Sequence, residues 1–284
     1  MIFIADSEID RFLLEDIALG DLTTRNLGIA SQYGHMTYTS RNASVASGIG
    51  VARRVLQKLE LEIIDTVADG QSIQAGQTIL TAQGNAAALH QGWKVAQNIL
   101  EWSCGVAQAT SSLLALARKE NPHVHIACTR KSIPGTRLLA VSAVLDGGGI
   151  IHRMGTAETV LLFANHRRFF SQPFNWTAHV RALRDQAPEK KIVVEADTPE
   201  EAIEAMQAEP DIIQLDKFTP EQIASCLNMA QKGSYRGTLI AAGGINLNNV
   251  QAYAATGVPV LVTSSPYYAK PADIGVKLTP SVSV

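Results

Sequence analysis

Apolar and polar positions follow two different rhythms along this chain. Over the first hundred or so residues, helical and alternating patterns are mixed. Ser7 to Leu19 repeats apolar residues at helical spacing, with Ser7 placed to cap its start and Gly20 to stop its end. Gly34-His-Met-Thr-Tyr-Thr-Ser40 alternates as a half-buried strand does. Gly50 to Leu59 reads as helix and Leu61 to Val67 as extended chain. Ala68 to Gln77, punctuated by Gly70 and Gly76, is a turn between two strand-like runs. Such glycine-rich hairpins also occur in lipoyl and biotinyl carrier modules, but those need an exposed lysine. None lies between Ile63 and Gln83, so a structural hairpin is expected. Ala86 to Leu100 and Ala107 to Lys119 read as two helices around Cys104-Gly105.

From about His125 the pattern becomes a strict alternation of strand and helix. His125 to Thr129 is an apolar strand, followed by a helix from Thr136 to Leu145. Thr159 to Phe163 and Lys191 to Glu195 are strands on either side of a helix from Trp176 to Gln186. Thr198-Pro-Glu-Glu201 and Thr219-Pro-Glu-Gln222 each carry a capping threonine, a proline at the first helical position and an acid or amide to close a capping box. Asp211 to Leu215, Thr238 to Ala241 and Val258 to Val262 are further strands, and a helix is expected to begin near Asn246. Apolar strands alternating with helices imply a parallel sheet covered by helices. The fold class is therefore α/β. About six strands, ending near residues 129, 163, 195, 215, 241 and 262, suit an irregular, open parallel α/β barrel better than a full eight-fold one. An open doubly wound sheet is the alternative, since strand order cannot be read from the pattern.

Composition narrows the class without changing it. Of 284 residues, 46% are hydrophobic and 18% charged, which fits a globular interior and argues against disorder. A formal net charge of −2 provides no overall field for nucleic acid or an anionic membrane, so any anion site must be local. Cys104, Cys128 and Cys226 lie far apart, with neither disulfide nor zinc-ligand spacing. The N-terminal residues carry acids where a signal peptide needs a basic start, and no apolar run approaches the roughly 20 residues of a membrane span. A reduced, cytoplasmic protein is expected.

In parallel barrels the functional groups sit on the loops after the strands. Those positions hold Arg130 and Lys131, Asn165 and His166, Glu195, Asp216, Gly243 and Gly244, and Ser264 and Ser265, with His152 and Arg153 after a Gly147-Gly-Gly149 run. Glu195 and Asp216 end successive strands and could hold Mg²⁺ through oxygen ligands, with substrate phosphates completing the shell. They could equally cap helices, but Thr198 and Thr219 already supply those caps. Gly243-Gly244 before a helix could cradle phosphate, although a lone Gly-Gly is often only a turn. Thr129 to Arg137 packs three cations around a Pro-Gly turn, and arginine suits bidentate recognition of carboxylate or phosphate. A solvated basic loop is the plainer reading of that stretch. The set as a whole fits an anionic, metal-bound substrate.

Taken in order and spacing, these pieces resemble the quinolinate phosphoribosyltransferase (nicotinate-nucleotide pyrophosphorylase) family. They are Thr129-Arg-Lys-Ser-Ile-Pro-Gly-Thr-Arg-Leu-Leu139, Gly147-Gly-Gly-Ile-Ile-His-Arg-Met-Gly155, Asn165-His166, Glu195, Asp211-Ile-Ile-Gln-Leu-Asp216 and Ala242-Gly-Gly-Ile245. Gly20-Asp-Leu-Thr-Thr24 and the Asn98 to Ala107 region extend the likeness nearly end to end. The resemblance implies an N-terminal α/β sandwich domain over residues 1–108, joined by the C-terminal segment 270–284, and a catalytic barrel over 109–269. It implies a homodimer, with a higher oligomer possible, in which one subunit's N-terminal domain completes the partner's site. A pyridine dicarboxylate attacks the anomeric carbon of phosphoribosyl pyrophosphate (PRPP), pyrophosphate leaves, and decarboxylation follows. By residue, the resemblance implies that Lys131, Glu195 and Asp216 are catalytic, that Glu195 and Asp216 serve Mg²⁺ and that Lys131, Gly243, Gly244 and Ser264 bind PRPP. Lys94, Arg130, His152, Arg153 and Phe163 would face the acceptor.

Three departures change the expected substrate. The family's lysine two residues before the Asn-His pair is Phe163, next to Ala164 where an acid is usual. The serine before Gly-Gly is Ala242, and the arginine reaching across the dimer is Lys94, preceded by Trp93. These changes look like the ModD branch, pyrophosphorylases associated with molybdate-transport genes. The implied activity is a pentosyl transfer from PRPP to an acceptor less acidic or larger than quinolinate. Three alternatives stand beside it: an authentic carboxylating pyrophosphorylase, a non-catalytic sensor of an anion or nucleotide, and a Schiff-base aldolase using Lys131.

Overall fold

Helix Ala86–Glu120 runs unbroken for 35 residues, although Gly105 sits in its middle. The two helices expected around Cys104-Gly105 are one. Gly105 is there for close approach: a Cβ at this position would lie 2.5 Å from the Lys270 carbonyl oxygen and 3.0 Å from Pro271 Cα. The glycine admits another backbone against the helix and does not end it.

The structure is a computed structural model describing residues 2–281. Residue 1 and residues 282–284, part of the expected C-terminal segment, lie outside the described residues. Chain contacts divide it into two compact units, Met1–Ser111 with Ile133–Gly148 and Pro266–Val284, and Ser112–Ser132 with Gly149–Ser265. The first unit holds a four-stranded antiparallel sheet in the order Ile274–Pro280, Tyr33–Ser40, Thr78–Asn85 and Glu62–Thr66. Alternation in Tyr33–Ser40 sends Met36, Tyr38 and Ser40 inward, as the period of two requires. Met36 and Tyr38 pack with Leu56, Leu80, Leu100 and Ile274 in a shared core. Residues 133–148 group with this unit by their contacts. Helix Arg137–Asp146 contributes Leu139 to this core, and Asp146 accepts a 2.6 Å hydrogen bond from the Ser47 hydroxyl.

The second unit is built on a parallel sheet of seven strands, in the order Ile150–Ile151, His125–Cys128, Val260–Thr263, Thr238–Ala242, Ile212–Asp216, Ile192–Ala196 and Val160–Leu162. The sheet curls into an open half-barrel whose first and last strands do not pair. Six of these strands match the apolar runs in the sequence. Two-residue Ile150–Ile151, hidden behind three glycines, is the seventh. Ile126, Ile192, Val194, Ile213, Leu215, Leu239 and Leu261 form its buried core with the flanking helices.

Two helix starts that share one sequence device behave differently from each other. At helix Pro220–Lys232 the box closes: the Thr219 amide donates to Gln222 Oε1 at 2.8 Å and the Gln222 amide to Thr219 Oγ1 at 3.3 Å. At helix Pro199–Met206, Thr198 caps, but the Glu201 carboxylate accepts instead from the Asp197 amide (3.2 Å) and from Arg167 (2.9 Å). Arg167 is 3% exposed, so its charge needs a partner, and Glu201 meets that need in place of the box.

Candidate active site

Because all seven strands of the second unit run parallel, their C-terminal ends share one edge. A cavity of about 330 Å³ opens there. Its walls come from seven strand ends: Arg130 and Lys131, His152 and Arg153, Phe163, Glu195, Gln214 and Asp216, Gly243 and Gly244, and Ser264 among them. The expected site residues of the barrel therefore meet in one place. Lys94 belongs to the first unit and does not line this cavity. Its ammonium lies 4.2 Å from the centre of the Trp93 ring and donates to Gln97 at 2.7 Å. Asn165 and His166 are also absent from the walls. His166 Nδ1 accepts from the Phe163 amide at 3.1 Å, which leaves Nε2 to carry the ring proton and fixes where Phe163 begins its short helix.

Glu195 and Gln214 are register partners on adjacent strands, so their side chains leave the sheet on the same face. Gln214 Nε2 donates to Glu195 Oε2 at 2.8 Å. Burial pushes the Glu195 carboxyl up to about 7, and the neighbouring charges of Asp216 and Asp197 add to the shift. The Gln214 hydrogen bond and Arg167 oppose it. Two carboxylates thus face one cavity at a cost that a bound cation would relieve. Among the described residues, no group of three or more His, Cys, Asp or Glu is placed to hold a metal ion, so an ion here would rely on substrate oxygens.

The cationic wall is less uniform than its sequence suggests. Burial, with Arg153 adjacent, pushes the His152 imidazole down to about 4, so it is a neutral hydrogen-bonding group near pH 7. Arg153 is 6% exposed, and its Nη2 is committed to the carbonyls of Thr156 (3.1 Å) and Thr159 (3.2 Å). Burial and Arg130 both disfavour its charge. Phe163 and Leu161 make the adjoining wall apolar.

The glycine turn departs from the expected form. Gly243 and Gly244 have φ of +89° and +72°, but the next helix, Val250–Ala255, begins six residues after Gly244. Side chains shape the turn: Asn246 and Asn249 both donate to the Gly244 carbonyl, at 3.0 and 3.1 Å, and the Asn246 amide donates to Asn249 Oδ1 at 2.8 Å. Buried Thr263 anchors it to the neighbouring strand through a 2.6 Å bond to the Ile245 carbonyl. Any phosphate here would meet loop amides and hydroxyls and not a helix dipole.

A model of the quinolinate phosphoribosyl transferase N-terminal domain matches residues 21–104, and one of the C-terminal domain matches 106–277. The chain belongs to the quinolinate phosphoribosyl transferase family. It is 53% identical over 284 residues to a protein of Escherichia coli O6:H1 named "Putative pyrophosphorylase ModD", covering 100% of both chains. It is 31% identical over 270 residues to a probable carboxylating nicotinate-nucleotide pyrophosphorylase of Methanothermobacter thermautotrophicus, covering 93% of this chain and 95% of the other. The solved structure of the nicotinate-nucleotide pyrophosphorylase from Francisella tularensis superposes with a TM-score of 0.88 at 26% identity, covering 98% of each chain. Among the described residues, no helix is long and apolar enough to cross a membrane.

Proposed function

We propose that this family member is a PRPP-dependent phosphoribosyltransferase that releases pyrophosphate and acts on an acceptor other than quinolinate. The observation that carries the proposal is one cavity lined by two chemically unlike sets of residues. One set is Lys131, the Glu195–Asp216 pair, Gly243, Gly244 and Ser264; the other is Arg130, neutral His152, Arg153 with Nη2 engaged, and apolar Phe163. The first set suits a phosphorylated sugar and a divalent cation. Glu195 and Asp216 would hold Mg²⁺, which would neutralise charge on the departing pyrophosphate. Lys131 would stabilise the same charge, and the carboxylates would steady a cationic ribosyl centre. No covalent nucleophile is needed.

The second set keeps Arg130 and a buried, unpaired Arg153 Nε, but one Arg153 nitrogen is engaged, His152 is neutral and Phe163 is apolar, which suits a dicarboxylate poorly. Quinolinate presents two negative charges, and desolvating either against Phe163 would be costly. A less acidic or larger ring, with one face against Phe163 and a polar group at His152 or Arg130, is the better match. From the ModD resemblance we carry over a role beside molybdate transport. The same resemblance suggests a homodimer whose partner subunit supplies Lys94 to the acceptor end. An assay for nicotinate mononucleotide from quinolinate and PRPP separates this reading from an authentic carboxylating enzyme. We expect little or no product; turnover at a rate of order 1 s⁻¹ or faster would return quinolinate as the substrate.

A further inference from the structure

Four described residues other than glycine have left-handed backbone: Glu60, Glu209, Lys217 and Ser234. Three of them follow helix ends, after Lys58, Met206 and Lys232, where a left-handed residue ordinarily closes the helix. Lys217, at φ +59°, instead follows a strand, immediately after Asp216. Its amide donates to the Ala242 carbonyl at 2.7 Å, which pins the turn beside the cavity. A Cβ on Gly243 would lie 2.7 Å from Lys217 Cγ, so the lysine stem lies along the glycine turn. The ammonium ends 3.6 Å from Asp216 Oδ2 on a side chain that is 81% exposed. Glycine or asparagine would adopt this backbone at less cost. A lysine held there in strain, between two cavity-lining residues and next to a site carboxylate, points to a use for its charge.

We propose that Lys217 is a binding residue for the pyrophosphate moiety, delivering its ammonium from the rim of the cavity. This rests on the PRPP reading above. Its flexible four-carbon stem and exposed ammonium, only 3.6 Å from a partly buried Asp216, let the charge turn to a polyanion that enters. The 5′-phosphate would be held at the glycine and hydroxyl side and would not need it. Lys217 thereby supplies an additional cation at the leaving-group end of a site whose acceptor wall contains Phe163.

K217N separates charge from backbone, because asparagine accepts the left-handed conformation and should leave folding stability equal or higher. Calorimetric titrations in Mg²⁺ would compare wild type, K217N and K217R with PRPP, inorganic pyrophosphate and ribose 5-phosphate. We expect K217N to bind PRPP and pyrophosphate about tenfold more weakly, a difference of about 1.4 kcal/mol, with ribose 5-phosphate unchanged and K217R close to wild type. Equal pyrophosphate binding by K217N and wild type would overturn the role of Lys217 and leave the PRPP reading standing. Failure of the wild type to bind PRPP would overturn that reading, and the role of Lys217 with it.

Discussion

Glu195 concentrates the electrostatic conflict of the site. Its carboxyl titrates near 7 in the folded chain against an ordinary value near 4.5, because burial and two neighbouring carboxylates oppose ionisation. A raised folded value means the native state holds the proton more tightly than the unfolded chain does. The associated stability is present in full below about pH 4.5 and is lost as the pH rises through about 7. In the ligand-free protein we therefore expect E195Q to gain on wild type as the pH rises from 4.5 to 7.5, by an amount on the order of 2 kcal/mol. Urea unfolding of both proteins across that range measures it; parallel curves would show that Glu195 ionises freely. Glu195 and Asp216 were legible in the sequence, since acids at the ends of apolar strands have few structural reasons to be there. Gln214 carried the same kind of signal, one polar residue within Ile212-Ile-Gln-Leu215, but strand register was needed to set it beside Glu195. The commitment of Arg153 to the carbonyls of Thr156 and Thr159 left no trace in the local pattern.

At the scale of elements, Gly105 shows why composition alone misleads. Gly→Ala in an exposed helix interior stabilises by about 1 kcal/mol. Here the added methyl meets backbone at 2.5 Å, and neither the helix nor the Lys270–Pro271 segment can yield without losing contacts. Overpacking of this kind costs about 1–3 kcal/mol and outweighs the helical gain. We expect G105A to be destabilised by about 1 to 2 kcal/mol, read as a lowered denaturation midpoint; a stabilised variant would mean that the segment moves away readily. The regular elements were readable because parallel strands buried on both faces are apolar throughout and their helices carry strong caps. The long helix, the two-residue strand at Ile150–Ile151 and the turn after Gly244 were not. Each is set by a partner distant in sequence or by asparagine side chains acting on the backbone.

At the scale of the whole molecule, family membership and fold follow from both domain matches and from the shared architecture. The proposed assembly makes a distinct demand. If a partner subunit supplies Lys94, then K94A and E195Q, each inactive alone with the true acceptor, should complement when mixed and allowed to exchange subunits. Recovery of turnover in the mixture is expected; its absence, with exchange shown by mass spectrometry, would confine the site to one subunit. The family scaffold was visible in the order of the motifs, whereas the acceptor was not. Acceptor choice depends on a few side chains such as Phe163 and on how many neighbouring charges remain available.

The cavity's capacity for PRPP is tested most directly by isothermal titration of PRPP with Mg²⁺ into the wild-type chain and into E195Q. We expect saturable binding by wild type, with Kd below about 1 mM, equivalent to roughly −4 kcal/mol or tighter, and at least tenfold weaker binding by E195Q. No heat of binding at millimolar PRPP, with the protein folded, would contradict the assignment of this site to phosphoribosyl transfer.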